Sequence, residues 1–424
     1  MTRSEKLLER AAKVIPGGVN SPVRAFSAVG GNPPFAARGE GPWLVDEDCH
    51  RYVDLVGSWG ALIHGHAHDR VVAAATRALV NGSSFGAPTE VEVLLAEEIC
   101  ARLPSVEQVR LCSSGTEATM HALRLARGAT GRDLVVKMEG CYHGAHDAVL
   151  VSAGSGVATF ARPGSPGIPE AVSSCTLVVP FNDPDEVGRV FAEHGDQIAA
   201  VILEPVPGNM GCIEPGEGYL EFLRSLTEKH GTVLIFDEVM SGFRVGPEGA
   251  QGRYGVRPDL TTLGKVVGGG FPLAAFGGRA DLMARLAPAG PVYQAGTLSG
   301  NPVAVAAGLA ALRALDQAAW DRLEAIGTQF DEKVGASAAY HGVSYVRVGG
   351  MFTLFFREAL PRNFAEVKEC DLEAFASFHN AALSAGVYLP PSQFEAVFLN
   401  LALDELALDQ AIGGIAAALV ATAI

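Results

Sequence analysis

Two residues stand in settings that suit covalent chemistry on a carbonyl. Asp237 closes the run TVLIFD (232–237), whose β-forming residues put a carboxylate at a strand tip facing a crevice. Lys265 follows the short run LTTL (260–263) and precedes Gly268, Gly269 and Gly270. Most of the seven lysines sit in charged, helical company, whereas Lys265 has only Arg257 and Asp259 as charged neighbours within ten residues. A lysine in such apolar surroundings tends to lose its hydration, which disfavours the ammonium form and frees the amine to attack a carbonyl. A carboxylate held against a pyridinium nitrogen keeps that ring protonated and able to accept electrons, so the two residues together suit pyridoxal 5′-phosphate.

Such a cofactor needs an anion cup. The segment QVRLC (108–112) is followed by Ser113, Ser114, Gly115 and Thr116 and then by a helical pattern, so hydroxyls and backbone N–H groups would meet a phosphate at a positive helix end. Ser114 and Glu117 also have the spacing of an ordinary capping box, which stabilises a helix by about 1 kcal/mol and implies no ligand. Neither G-x-x-x-x-G-K-[ST] nor G-x-G-x-x-G is present. Tyr142 and His143 lie just beyond DLVVKM (133–138), where an aromatic ring could stack on a pyridine face or simply fill core. His64, His66 and His68 alternate in HGHAH, but their Gly and Ala neighbours read as a turn, and no metal site is expected there.

Short apolar runs alternate with helical patterns from about 90 to 280: QVRLC, DLVVKM, CTLVVP, AAVILE, TVLIFD and LTTL. This rhythm predicts an α/β fold with a mainly parallel sheet, helices such as 117–127 forming the crossovers. WLVDEDCHRYVDL (43–55) reads as two β segments around a polar turn. After about 310, helical stretches lead to strands around SYVRVGGMFTLFF (344–356) and to a final helix with Ile412, Ile415, Leu419 and Ala423 on one stripe. The expected division is an N-terminal segment 1–56 packing with a small domain 313–424, and a large domain 57–312. The stretch from His143 to Ser174 is dense in Gly, Ser, Ala and Pro, and its part from about 145 to 174 is expected to act as a lid.

Fifty glycines in 424 residues exceed the usual share of about 7% without a collagen period, implying tight turns and close backbone approaches. A net charge of −15 opposes binding to nucleic acid or anionic membrane and favours a small-molecule substrate. Seven widely spaced cysteines without a C-x-x-C pair suggest reduced thiols in the cytoplasm. Charges interrupt the N-terminal apolar positions, so no signal peptide is expected. The longest apolar stretch, 411–424, is too short to span a bilayer.

The Asp237 and Lys265 motifs, with SSGTEA (113–118) and QAGTLSGNP (294–302), resemble the class III pyridoxal-phosphate aminotransferases of fold type I. NSPVRAF (20–26), GSWGALIHGHAH (57–68), MEGCYHGAHD (138–147), EPVPGNMG (204–211), DEVMSGFR (237–244), LGKVVGGGFPLAAFGGR (263–279) and PPSQFEA (390–396) extend the resemblance, in order, over nearly the whole chain and toward the aminomutase members of that family. The resemblance implies a large domain with a mainly parallel central sheet, a smaller α+β domain and a homodimer. It implies that Lys265 binds the cofactor aldehyde and shuttles a proton, that Asp237 holds the pyridine nitrogen, and that Ser114, Gly115 and Thr116 bind phosphate together with Thr297 of a neighbouring subunit. Tyr142 and Val239 would sandwich the ring, and Asn209 would approach its phenolic oxygen. Arg24 would pair with the substrate carboxylate, aided by Ser21, Trp59 and Ser155, with Glu395 near the substrate amine. The implied reaction moves an amine within one skeleton, from (S)-4-amino-5-oxopentanoate to 5-aminolevulinate through a diamine, using pyridoxal and pyridoxamine 5′-phosphate in porphyrin biosynthesis. A class III ω-aminotransferase, which exchanges nitrogen with a second substrate, is the alternative.

Overall fold

Runs apolar at every position become strands covered on both faces, because only burial on both sides recovers the hydration cost of their side chains. The computed structural model describes residues 1–151 and 165–422. Its strands are β1 (Ala36–Glu40), β2 (Trp43–Asp46), β3 (Arg51–Asp54), β4 (Gln108–Cys112), β5 (Leu134–Met138), β6 (Thr176–Val179), β7 (Ile198–Leu203), β8 (Val233–Glu238), β9 (Leu260–Leu263), β10 (Ala274–Gly278), β11 (Ser344–Val348), β12 (Met351–Phe355), β13 (Val387–Tyr388) and β14 (Val397–Phe398). The central sheet has the order β4-β10-β9-β8-β7-β5-β6, and every residue of β7 and β8 is buried. Pairing is parallel from β9 through β8, β7 and β5 to β6, so these strands present their carboxyl ends on one side.

The six anticipated runs all form strands of this sheet. The seventh, β10, has no counterpart in the predicted set and lies antiparallel between β4 and β9. Its sequence AAFGG carries little β propensity; what selects it is space. A Cβ at Gly277 would lie 2.5 Å from the Gln108 carbonyl oxygen and one at Gly278 2.1 Å from that of Asp259, so neighbouring backbone excludes any side chain.

The predicted crossover helix runs Gly115–Thr130, with Ser114 as N-cap and Gly131 in the left-handed conformation (φ 70°) closing its C-terminus. Helix Asp69–Val80 packs on helix Pro302–Arg313 through Val71, Ala75, Ala307 and Ala311. The two β segments of 43–55 pair antiparallel as β2 and β3, and β13 adds to β3 in parallel from the other end of the chain. β11, β12 and β14 form a third sheet, and helix Glu405–Ala421 buries Ile412, Ile415 and Leu419; Ala423 lies outside the described residues. Among the described residues, no helix is long and apolar enough to cross a membrane.

Candidate active site

Strand register builds the acid end of the site. Asp237 pairs with Thr262 across β8 and β9, and the Thr262 hydroxyl donates to Asp237 Oδ1 at 2.8 Å. The Val239 N–H donates to the same oxygen at 3.1 Å, while His143 Nδ1–H donates to Oδ2 at 2.7 Å. Three donors on a buried carboxylate fix its direction, which is what holding a ring nitrogen requires. His143 Nε2 is buried with no partner among the described residues.

Lys265 stands just beyond β9 in the left-handed region (φ 46°), a conformation costing roughly 1–2 kcal/mol for a residue with a side chain. Preceding Gly264 allows the approach, since a Cβ there would meet Val239 Cγ1 at 3.0 Å. Burial lowers the Lys265 pKa, opposed by the charges of Glu204, Asp237 and Glu395. The amine is thereby biased toward the neutral, nucleophilic state.

The anion cup combines both readings of its sequence. Ser114 Oγ accepts from the Glu117 N–H at 3.2 Å, as a helix cap does. Accepting leaves the hydroxyl proton free to donate, and the same holds for Thr116, whose Oγ1 accepts from the Ala145 N–H at 3.1 Å. The first N–H groups of the helix lack intrahelical acceptors and carry its positive end. A side chain at Gly115 would strike Val239 at 2.9 Å, so the cup stays open only with glycine.

A second buried carboxylate organises the far wall. Glu204, directly after β7, accepts from the N–H of Tyr142 (2.8 Å), the N–H of Gly208 (2.9 Å) and the Asn209 amide (2.9 Å), and burial pushes its pKa up. Lys137, fully buried on β5, donates to the carbonyls of Cys141 at 3.0 Å and Val151 at 2.7 Å, tying down both ends of the loop that carries Tyr142 and His143; burial lowers its pKa to about 8.

A cavity of about 300 Å³ joins these parts. Ser114, Gly115, Thr116, Tyr142, Asn209, Asp237, Val239 and Lys265 all line it. The donor set fits a phosphorylated pyridine aldehyde: hydroxyls and amides for the phosphate, an amine for the aldehyde, a carboxylate for the ring nitrogen. Thr297 is exposed and lies outside this cavity, as do Ser21, Arg24, Trp59 and Glu395. Arg24 is exposed on the short segment Pro22–Ala25, while Glu395 is buried and its charge acts on both Tyr142 and Lys265. Ser155, with residues 152–164 of the expected lid, lies outside the described residues. Glu204, Thr262 and Lys137 were not singled out from sequence, because a polar residue in or just after a strand buried on both faces has no distinguishing periodicity. His64 Nε2 lies 2.8 Å from the Ala311 carbonyl and His66 Nε2 2.7 Å from Asp54, so these rings bind the framework.

A half-buried lysine and a triply bonded aspartate at parallel strand tips, beside a helix N-terminus, define a pyridoxal-phosphate enzyme of fold type I. Residues 26–419 match the family described as aminotransferase class-III, and the chain belongs to that family. Within it, the chain is 57% identical over 405 residues, 95% of each chain, to the glutamate-1-semialdehyde 2,1-aminomutase of Nitrosospira multiformis. Among solved structures, it is similar to an omega-transaminase from Sphaerobacter thermophilus, with a TM-score of 0.91, 37% identity and coverage of 99% of this chain and 98% of that one. It is also similar to a lysine-to-alanine variant of a glutamate-1-semialdehyde-aminomutase from Pseudomonas aeruginosa in complex with PMP, with a TM-score of 0.88, 27% identity and coverage of 99% and 95%.

Proposed function

We propose that the protein converts (S)-4-amino-5-oxopentanoate to 5-aminolevulinate, transferring the amine within one carbon skeleton by way of a diamine and so supplying porphyrin biosynthesis. The observation that carries this reading is the 57% identity to an aminomutase across 95% of both chains. When bound, pyridoxal or pyridoxamine phosphate supplies an exchangeable amine and an electron-accepting ring. Lys265 Nζ, held toward neutrality by burial, moves the proton that must leave one carbon and arrive at another. Asp237 would keep a proton on the ring nitrogen, Ser114, Gly115 and Thr116 would hold the phosphate, Tyr142 and Val239 would flank the ring, and Asn209 would reach its phenolic oxygen. Arg24 binds the substrate carboxylate through its planar fork, with Ser21, Trp59 and Ser155 around it and Glu395 near the amine.

The homodimer belongs to the same proposal. Val72, Leu79, Val80, Phe85, Tyr293 and Leu298 are exposed apolar side chains, and Thr297 stands in the same exposed stretch as the last two. In that dimer Thr297 would reach the phosphate of the neighbouring subunit. The division into 1–56 with 313–424 against 57–312 is supported by β13 pairing with β3. The seven unpaired cysteines suit the reducing cytoplasm.

Semialdehyde as sole substrate distinguishes the two class III activities. An aminomutase forms aminolevulinate over many turnovers without added amino donor or acceptor; a reaction that stops after one half-turnover and resumes only with a second amino compound would establish the ω-aminotransferase instead.

A further inference from the structure

Arg244 is 1% exposed, and among the described residues no carboxylate lies within ion-pair distance of it. Its guanidinium instead donates to three main-chain carbonyls from separate parts of the chain: Gly60 at 2.6 Å, Leu399 at 2.9 Å and Gly350 at 3.2 Å. The Arg244 carbonyl in turn accepts from the Gly350 N–H at 3.0 Å, and the Gly350 carbonyl from the Leu399 N–H at 3.0 Å. Burying an unpaired cation is costly, and burial lowers this guanidinium's pKa to about 9. The carbonyl it holds most closely ends an unusual segment. Gly57, Ser58, Trp59 and Gly60 have φ of 50°, 52°, 60° and 90°, four successive left-handed residues of which two bear side chains. Such a turn persists only where its surroundings impose it. Phe398 packs against it so tightly that a Cβ at Gly60 would lie 2.7 Å from its ring, and the Arg244 guanidinium stands 5.2 Å over the same ring.

We propose that Arg244 is a positioning residue for the substrate wall: its guanidinium clamps the left-handed turn at residues 57–60 and thereby fixes the Trp59 indole. The proposal rests on the reading of Trp59 as a substrate contact. It links the segment just after β8, the strand that carries Asp237, to a loop about 180 residues away in sequence, so cofactor and substrate walls share one anchor.

The test uses full-length protein in which Trp43 and Trp320 are replaced by phenylalanine, leaving Trp59 as the sole emitter. In the apoprotein, Arg244→Met is expected to raise acrylamide quenching of Trp59 by about twofold or more. In the cofactor-loaded enzyme the same change is expected to raise KM for the semialdehyde by about tenfold, with kcat and the cofactor's visible band within about twofold of the parent. Unchanged Trp59 quenching in folded Arg244→Met overturns the clamp, as does an equal rise in the quenching of Trp43 when that is the sole emitter, since general loosening would then explain both. If Arg244→Met does not fold, Arg244→Lys decides by the same quenching comparison, because an ammonium keeps the charge without the planar fork that spans three carbonyls. Trp59→Leu separates the two layers: increased quenching in the Arg244 variant together with an unaltered KM for Trp59→Leu would retain the clamp and remove Trp59 from the substrate wall.

Discussion

At the tips of β7, β8 and β9, Glu204, Asp237, Thr262 and Lys265 are placed by strand register and by burial, whereas Arg24 and Ser21 sit on the exposed segment Pro22–Ala25 and its N-cap, and Trp59 on a left-handed turn. The cofactor side is therefore made by the sheet itself: moving Asp237 by one register position would break its bond to Thr262 and turn it to the opposite face. The residues proposed for the substrate side stand on loops, and the turn that carries Trp59 is bonded from outside by Arg244 and packed on by Phe398. Chemistry common to a family belongs on the first kind of support and substrate choice on the second, since loops can change without disturbing the core.

The largest effect expected from disturbing this contrast is on the cofactor side. Asp237→Ala removes the acceptor of three hydrogen bonds and the proposed partner of the ring nitrogen. With charged hydrogen bonds worth about 1.5–3 kcal/mol, cofactor affinity should fall about ten- to a hundred-fold by fluorescence titration, and turnover should fall further. KM-selective behaviour in this variant would show that the two sides are not separable. Arg24→Lys should act in the opposite way: loss of a bidentate fork raises KM by about tenfold while cofactor titration stays unchanged.

A further effect concerns stability and leaves both sides of the site in place. Lys137 has a folded pKa of about 8 against an ordinary 10.5, so the unfolded chain binds more protons there between those values. Stability contributed at this position therefore rises with pH across that window and is lowest below pH 8. The unfolding free energy of wild type relative to Lys137→Met should increase by about 2 kcal/mol from pH 7.5 to 9.5 in urea titrations of the apoprotein. A flat or falling difference would remove the buried cation from the account of the Tyr142 loop.

Much of the cofactor side was legible in the residues because its requirements are local. A strand ending in acid, a lysine with few charged neighbours and a Ser-Gly-Thr turn before a helix each carry their reason in a few positions. Thr262 and Glu204 were not legible, since their importance depends on which strand lies beside which, and order within a parallel sheet leaves no periodic trace. The strand AAFGG escaped for a related reason: its glycines answer to the carbonyls of Gln108 and Asp259, far off in sequence. The substrate side came from family resemblance alone, and the left-handed turn at residues 57–60 shows why, because two of its four residues are not glycine and nothing in their types announces positive φ.

The claim on which the rest depends is that the Lys265 amine is the one that binds the cofactor aldehyde. Holoenzyme in its pyridoxal form, reduced with borohydride, digested and mapped, should carry the reduced cofactor on Lys265. Label on another of the seven lysines, Lys137 included, or no label at all, would contradict it.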